Sequence, residues 1–97
     1  MVEVTVKVHS TLREVVGKPD LVVKVADNSS VRDVLDKFVD QFKKGLNLKY
    51  NFGDGEGDFQ KYFIISLNGT HLSNSGLGEI KVKEGDRVDV LDPVSGG

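Results

Sequence analysis

The sequence predicts a two-layer α+β domain: a mixed sheet of four to five strands with one main helix packed on one face. Three observations carry this. Met1 to His9 alternates apolar and polar residues without a break, and Val31 to Phe42 repeats with helical spacing. Two further β-rich segments, Tyr62 to Leu67 and Arg87 to Leu91, follow the helix.

In the first segment Val2, Val4, Val6 and Val8 face Glu3, Thr5, Lys7 and His9. A period of two with a β-branched residue at every apolar position is a strand with one buried face. Leu21-Val22-Val23-Lys24-Val25 follows the turn signal Gly17-Lys18-Pro19-Asp20, close enough to pair with the first strand as an antiparallel hairpin. Ser30 and Asp33 then form a capping box. Behind it Val31, Val34, Leu35, Phe38, Val39 and Phe42 make one apolar stripe, opposed by Arg32, Asp36, Lys37, Asp40 and Lys43. Lys43 and Lys44 suit a helix C-terminus, and Gly45 is placed to end the helix.

Residues 46–60 read as a weakly ordered loop centred on Gly53-Asp54-Gly55-Glu56-Gly57-Asp58. The strand from Tyr62 to Leu67 is followed by Asn68-Gly69, a two-residue hairpin signal, and by a short return strand through His71 and Leu72. A turn at Lys83-Glu84-Gly85-Asp86 introduces the last strand, and Pro93 stops it. The order β-β-α-β-β-β suggests a right-handed crossover that sets the helix-following strand beside and parallel to the first. Such an arrangement is the β-grasp of ubiquitin-like proteins. The expectation is a single domain over residues 1–97, with a flexible tail over 92–97.

Composition narrows the function. Thirteen basic and 15 acidic residues give a net charge of −2, without the positive footprint that nucleic acid or an anionic membrane requires. The chain holds no cysteine, which removes disulfides, thiolate metal sites and cysteine nucleophiles together. No signal peptide or membrane-length apolar run is apparent, so the expected compartment is the cytoplasm.

Side-chain chemistry is sparse. Asp54, Glu56 and Asp58 sit at calcium-loop spacing, but Phe59 and Ile65 fall where that loop needs glycine and glutamate. The same glycines precede no Lys-Ser/Thr and open no helix, so they make no phosphate cradle. His9 and His71 lack partners for a triad or a zinc site and are expected at the surface. No metal site and no bound cofactor are expected.

What remains is the end, Asp92-Pro93-Val94-Ser95-Gly96-Gly97. Two residues without Cβ atoms give a stem slender enough to thread a narrow tunnel. The α-carboxylate of Gly97 would be inert until adenylation made one oxygen part of a leaving group. Sulfide could then capture the acyl group as a thiocarboxylate, or a lysine amine as an isopeptide.

At this point the chain resembles a family, the MoaD-type sulfur carriers that form the small subunit of molybdopterin synthase. Leu12-Arg13-Glu14-Val15-Val16-Gly17 resembles the family's segment after the first strand, and Val31-Arg32-Asp33-Val34-Leu35 its helix start. Leu67-Asn68-Gly69 resembles its hairpin, and Glu84-Gly85-Asp86-Arg87-Val88 through Pro93-Val94-Ser95-Gly96-Gly97 its final strand and tail. The resemblance implies a sulfur-donating subunit that is not an enzyme by itself. Gly97 would be adenylated by a ubiquitin-activating-type enzyme that consumes ATP, and a sulfur donor would convert it to a thiocarboxylate. The tail would then enter the large synthase subunit and deliver sulfur to the cyclic pterin precursor. Gly96 would permit passage, while Leu91, Pro93, Val94 and Ser95 would line and dock the stem. The free protein is expected to be a monomer. In its long helix-to-strand loop and Val94-Ser95-Gly96-Gly97 ending the chain is also similar to small archaeal modifier proteins, which implies an alternative role as a tag joined to lysines. Where the family often carries a double proline, this chain has Asp92-Pro93. Alternation along the last strands predicts that Tyr62, Ile64, Arg87 and Leu91 face away from the helix as a docking patch beside the tail.

Overall fold

The computed structural model describes residues 1–9, 11–50, 63–72 and 74–91. Residues 10, 51–62, 73 and 92–97, and with them most of the expected loop, Tyr62, Pro93, Val94, Ser95, Gly96 and Gly97, lie outside the described residues. The elements in chain order are β1 (Val2–Val8), α1 (Thr11–Val16), β2 (Asp20–Val25), α2 (Val31–Tyr50), β3 (Ile64–Leu67), β4 (Thr70–His71), a 3₁₀ segment (Asn74–Glu79) and β5 (Arg87–Leu91). The architecture is the expected β-grasp: α2 packs across one mixed five-stranded sheet.

The strand order is β2-β1-β5-β3-β4. β1 pairs antiparallel with β2 and parallel with β5, and β5 pairs antiparallel with β3. This corrects one expectation: the strand beside and parallel to β1 is the last one, not the one that follows the helix. The central slot of the sheet lies between β1 and β3. That slot goes to β5, whose Val88 and Val90 are fully buried and match Val6 and Val8 on one side, Leu67 and Ile65 on the other.

The core forms where the sequence places it. Val4, Val6, Val8, Leu21, Val23 and Val25 of the sheet meet Val31, Val34, Leu35 and Phe38 of α2, all buried. The capping box closes reciprocally: the Ser30 amide donates to Asp33 Oδ2 at 2.9 Å and the Asp33 amide donates to Ser30 Oγ at 3.2 Å. The Val31 amide donates to the Ile80 carbonyl and the Val82 amide to the Ser29 carbonyl, tying the helix start to the strand-like segment before β5.

Two local readings change. The connection between β1 and β2 contains a helix, α1, with Leu12 fully buried and Val15 and Val16 packed against the core. Gly17 (φ 87°) caps it, its amide donating to the Arg13 carbonyl at 2.7 Å. α2 also does not end at Gly45. It bends at Phe42 (φ −114°, ψ 20°) and runs on to Tyr50, with Leu46 fully buried. Gly45 is an approach point: a Cβ there would stand 2.9 Å from Val15 Cγ1, so the missing side chain lets α1 lie against α2. Phe38 and Phe42 stack at a tilt across the bend, with centroids 5.4 Å apart.

Candidate functional site: the root of the C-terminal tail

The tail leaves from Leu91, the last residue of β5. β5 is paired with β1 on one edge and β3 on the other up to Val90, and Leu91 itself is paired with Ile64 of β3. Its start is fastened too. Gly85 (φ 84°) turns the chain, and its amide donates to the Glu3 carbonyl while the Thr5 amide donates to the Asp86 carbonyl. Asn68 and Gly69 both take positive φ (50° and 90°), as the hairpin signal requires. Asn68 does more than turn: its Nδ2 donates to Asp86 Oδ1 at 3.0 Å, and its Oδ1 accepts from the Arg87 amide at 2.9 Å. The β3–β4 hairpin is thereby latched to the entry of β5.

Strand alternation divides the residues around the root. Val88, Val90, Ile65 and Phe63 are buried, while Arg87 and Ile64 are exposed and Asp89 and Leu91 half-buried. Leu91 stands opposite Ile64 in register, and Ile64 is 40% exposed. These two form an apolar step directly beside the tail's origin. Arg87 Nε donates to Asp89 Oδ1 at 2.9 Å farther along the same strand. The patch residues Ile64, Leu91 and Arg87 thus stand on the helix-free side, and Tyr62 lies outside the described residues.

His71 is exposed, as expected. His9 is not: it is half-buried, and its Nε2 is enclosed without a hydrogen-bond partner. The chain turns into α1 immediately after β1, with the Leu12 amide donating to the His9 carbonyl at 3.1 Å, so His9 sits in a corner rather than at an open strand end. Among the described residues no group of three or more His, Cys, Asp or Glu could hold a metal ion. The described part therefore offers a firm root with an apolar step. What sequence reasoning missed is the latch: the hairpin signal at Asn68 was visible, but its side-chain partner Asp86 is 18 positions away.

Known proteins resemble this arrangement across its full length. Small archaeal modifier protein 3 of Haloferax volcanii is 27% identical over 99 aligned residues, covering 98% of this chain and 99% of that protein. The solution structure of small archaeal modifier protein 1 from Methanosarcina acetivorans superposes with a TM-score of 0.74 at 30% identity, covering 100% of this chain and 98% of the other. A Pyrococcus furiosus protein assigned as molybdopterin converting factor subunit 1 gives 0.65 at 26% identity, covering 96% and 99%. The ThiS family model matches residues 6–97. With that span, and with a β-grasp body leading to a terminal Gly-Gly, the chain belongs to the ThiS family, the ubiquitin-like proteins related to sulfur carriers and small archaeal modifiers.

Proposed function

We propose that this protein is the sulfur-carrying small subunit of a molybdopterin synthase, not catalytic alone, and that Gly97 is its working residue. The observation that carries the reading is a ThiS-family match extending through the Val94-Ser95-Gly96-Gly97 ending. An adenylating enzyme joins the Gly97 carboxylate to AMP and releases pyrophosphate from ATP. A sulfur donor supplies sulfide equivalents that displace AMP and leave a thiocarboxylate. The large synthase subunit takes up the tail and passes the sulfur to the cyclic pterin precursor, returning Gly97 to the carboxylate. Gly96 keeps the stem slender enough to thread the partner's tunnel, and Pro93, Val94 and Ser95 line the stem and help dock it there. Leu91 with Ile64 provides the apolar contact at its mouth. These reactions belong to the cytoplasm.

The similarity to small archaeal modifier proteins over nearly the whole chain favours a second reading, conjugation of Gly97 to lysines. One acyl-adenylate serves both. Intact mass spectrometry of the protein from its native cells, with a search of digested lysate for lysines bearing a Val-Ser-Gly-Gly remnant, separates them. A mass increase equal to sulfur minus oxygen on Gly97 supports the carrier, and branched peptides support the modifier. If incubation with ATP, the adenylating enzyme and a sulfur donor leaves Gly97 unaltered, both readings fail.

A further inference from the structure

The sheet has two edges. β4 is only two residues long, whereas β2 presents six residues at the other edge. Which backbone groups of β2 are free follows from its pairing with β1. The Val8 amide donates to the Pro19 carbonyl, and the register continues as Val6 with Leu21, Val4 with Val23 and Val2 with Val25. In an antiparallel ladder hydrogen-bonded pairs recur every second residue, so Leu21, Val23 and Val25 spend their polar groups on β1. Asp20, Val22 and Lys24 aim theirs outward. The Lys24 carbonyl bears this out, since it accepts from Lys37 Nζ of α2. The Asp20, Val22 and Lys24 side chains are exposed on the helix-free face, Val22 by 55%.

These three residues are complementary to themselves. If two copies pair antiparallel about Val22, Val22 meets Val22, Asp20 meets Lys24 and Lys24 meets Asp20, all in the hydrogen-bonding class that both edges leave open. The neighbouring rows extend the match. Lys24 already lies 3.9 Å from Glu3, and Asp20 lies opposite Lys7. Across the joint the charges would run Glu3, Lys24, Asp20, Lys7, alternating in sign. Shifting by one hydrogen-bonded pair in either direction removes both oppositely charged contacts; one direction also sets Lys24 against Lys18. We infer that β2 is a self-pairing edge and that its partner is a second copy of this chain, joined by a twofold axis at Val22. The result is one continuous ten-stranded sheet, with about six new backbone hydrogen bonds. The contact is narrower than a stable interface requires, and Lys37 must first release the Lys24 carbonyl, as a lysine guarding an edge does. The dilute protein is then the monomer the sequence suggests, and dimers form at roughly millimolar concentration. Leu91, two strands from the edge, stays uncovered.

The test is sedimentation and amide chemical shifts over a concentration series reaching roughly 1 mM. Association should move the Asp20, Val22 and Lys24 amides above all others. Val22→Pro deletes an outward N–H that the ladder to β1 does not use, and it should abolish association while thermal unfolding shows the fold intact. Asp20→Lys or Lys24→Asp alone changes both symmetric contacts and should weaken association about tenfold. The double substitution should restore it, and mixing the two single variants should give mixed dimers. A protein monomeric throughout the series overturns the inference. So does association that survives Val22→Pro, or a double swap no stronger than the single ones.

Discussion

Replacing Gly45 with alanine sets two effects of known size against each other. Within a helix, glycine costs about 1 kcal/mol relative to alanine, so Gly45→Ala should stabilise a helix that touched nothing. Here the new methyl would stand 2.9 Å from Val15 Cγ1, about 1 Å inside ordinary contact. Val15 lies on α1, where a β-branched side chain has essentially one rotamer and cannot swing away. Either α1 shifts or the contact is strained, and overpacking of this kind costs about 1–3 kcal/mol. Because Val15 is only half-buried, the lower half of that range applies. The net expectation is destabilisation by up to about 1 kcal/mol, or roughly 4–8 °C in midpoint for a domain of this size. Urea unfolding of a four-member cycle checks the cause as well as the sign. In a Val15→Ala background the clash is gone, and Gly45→Ala should then stabilise by about 0.5–1 kcal/mol. Stabilisation of equal size in both backgrounds would show that α1 does not rest on Gly45, and the account of the helix junction would fail.

Other perturbations probe the remaining supports. Ser30→Ala removes the cap hydroxyl from a 4%-exposed position and should cost about 1 kcal/mol in urea titration, while Ser30→Gly should cost only a few tenths. Asn68→Ala removes both side-chain bonds to the start of β5 and puts a Cβ residue without local hydrogen bonds at φ 50°. The expected loss is about 1–2 kcal/mol, with amide exchange rising first at Arg87. On the sulfur-carrier reading, Leu91→Asp should leave the fold in place by circular dichroism and lower the adenylating enzyme's kcat/KM about tenfold, or about 1.4 kcal/mol of lost contact. Unchanged adenylation would remove Leu91 from the docking surface.

The sequence disclosed most of what is local and less of what is distant. The capping box, the α2 stripe, the Asn68-Gly69 turn and the alternation of β1 and β5 are patterns within a dozen residues, and each appears as read. α1 was also legible, since Leu12, Val15 and Val16 stand at helical spacing before Gly17. The turn residues beyond it spoke more loudly. Gly45 misled for a physical reason: a glycine that ends a helix and one that admits a neighbouring helix look alike until the neighbour is known. The position of β5 was hidden because parallel pairing between segments some 80 residues apart leaves no local mark. For the same reason the latch between Asn68 and Asp86 escaped notice.

That hidden topology governs how the candidate site must be approached. β5 buries Val88 and Val90 under α2, so a partner gripping the chain beyond Leu91 finds the helix side already filled by core. Its access is from the other face, where Leu91 and Ile64 stand opposite each other. A tail attached to an edge strand would transmit any pull to one ladder, which could peel pair by pair. Behind Leu91, which is paired with Ile64, β5 from Val88 to Val90 is paired with both β1 and β3, so displacing the strand loads both ladders together. The central slot therefore gives the residues beyond Leu91 a fixed origin. On the sulfur-carrier reading, an end that enters another protein's active site while the body stays docked outside needs that fixed origin.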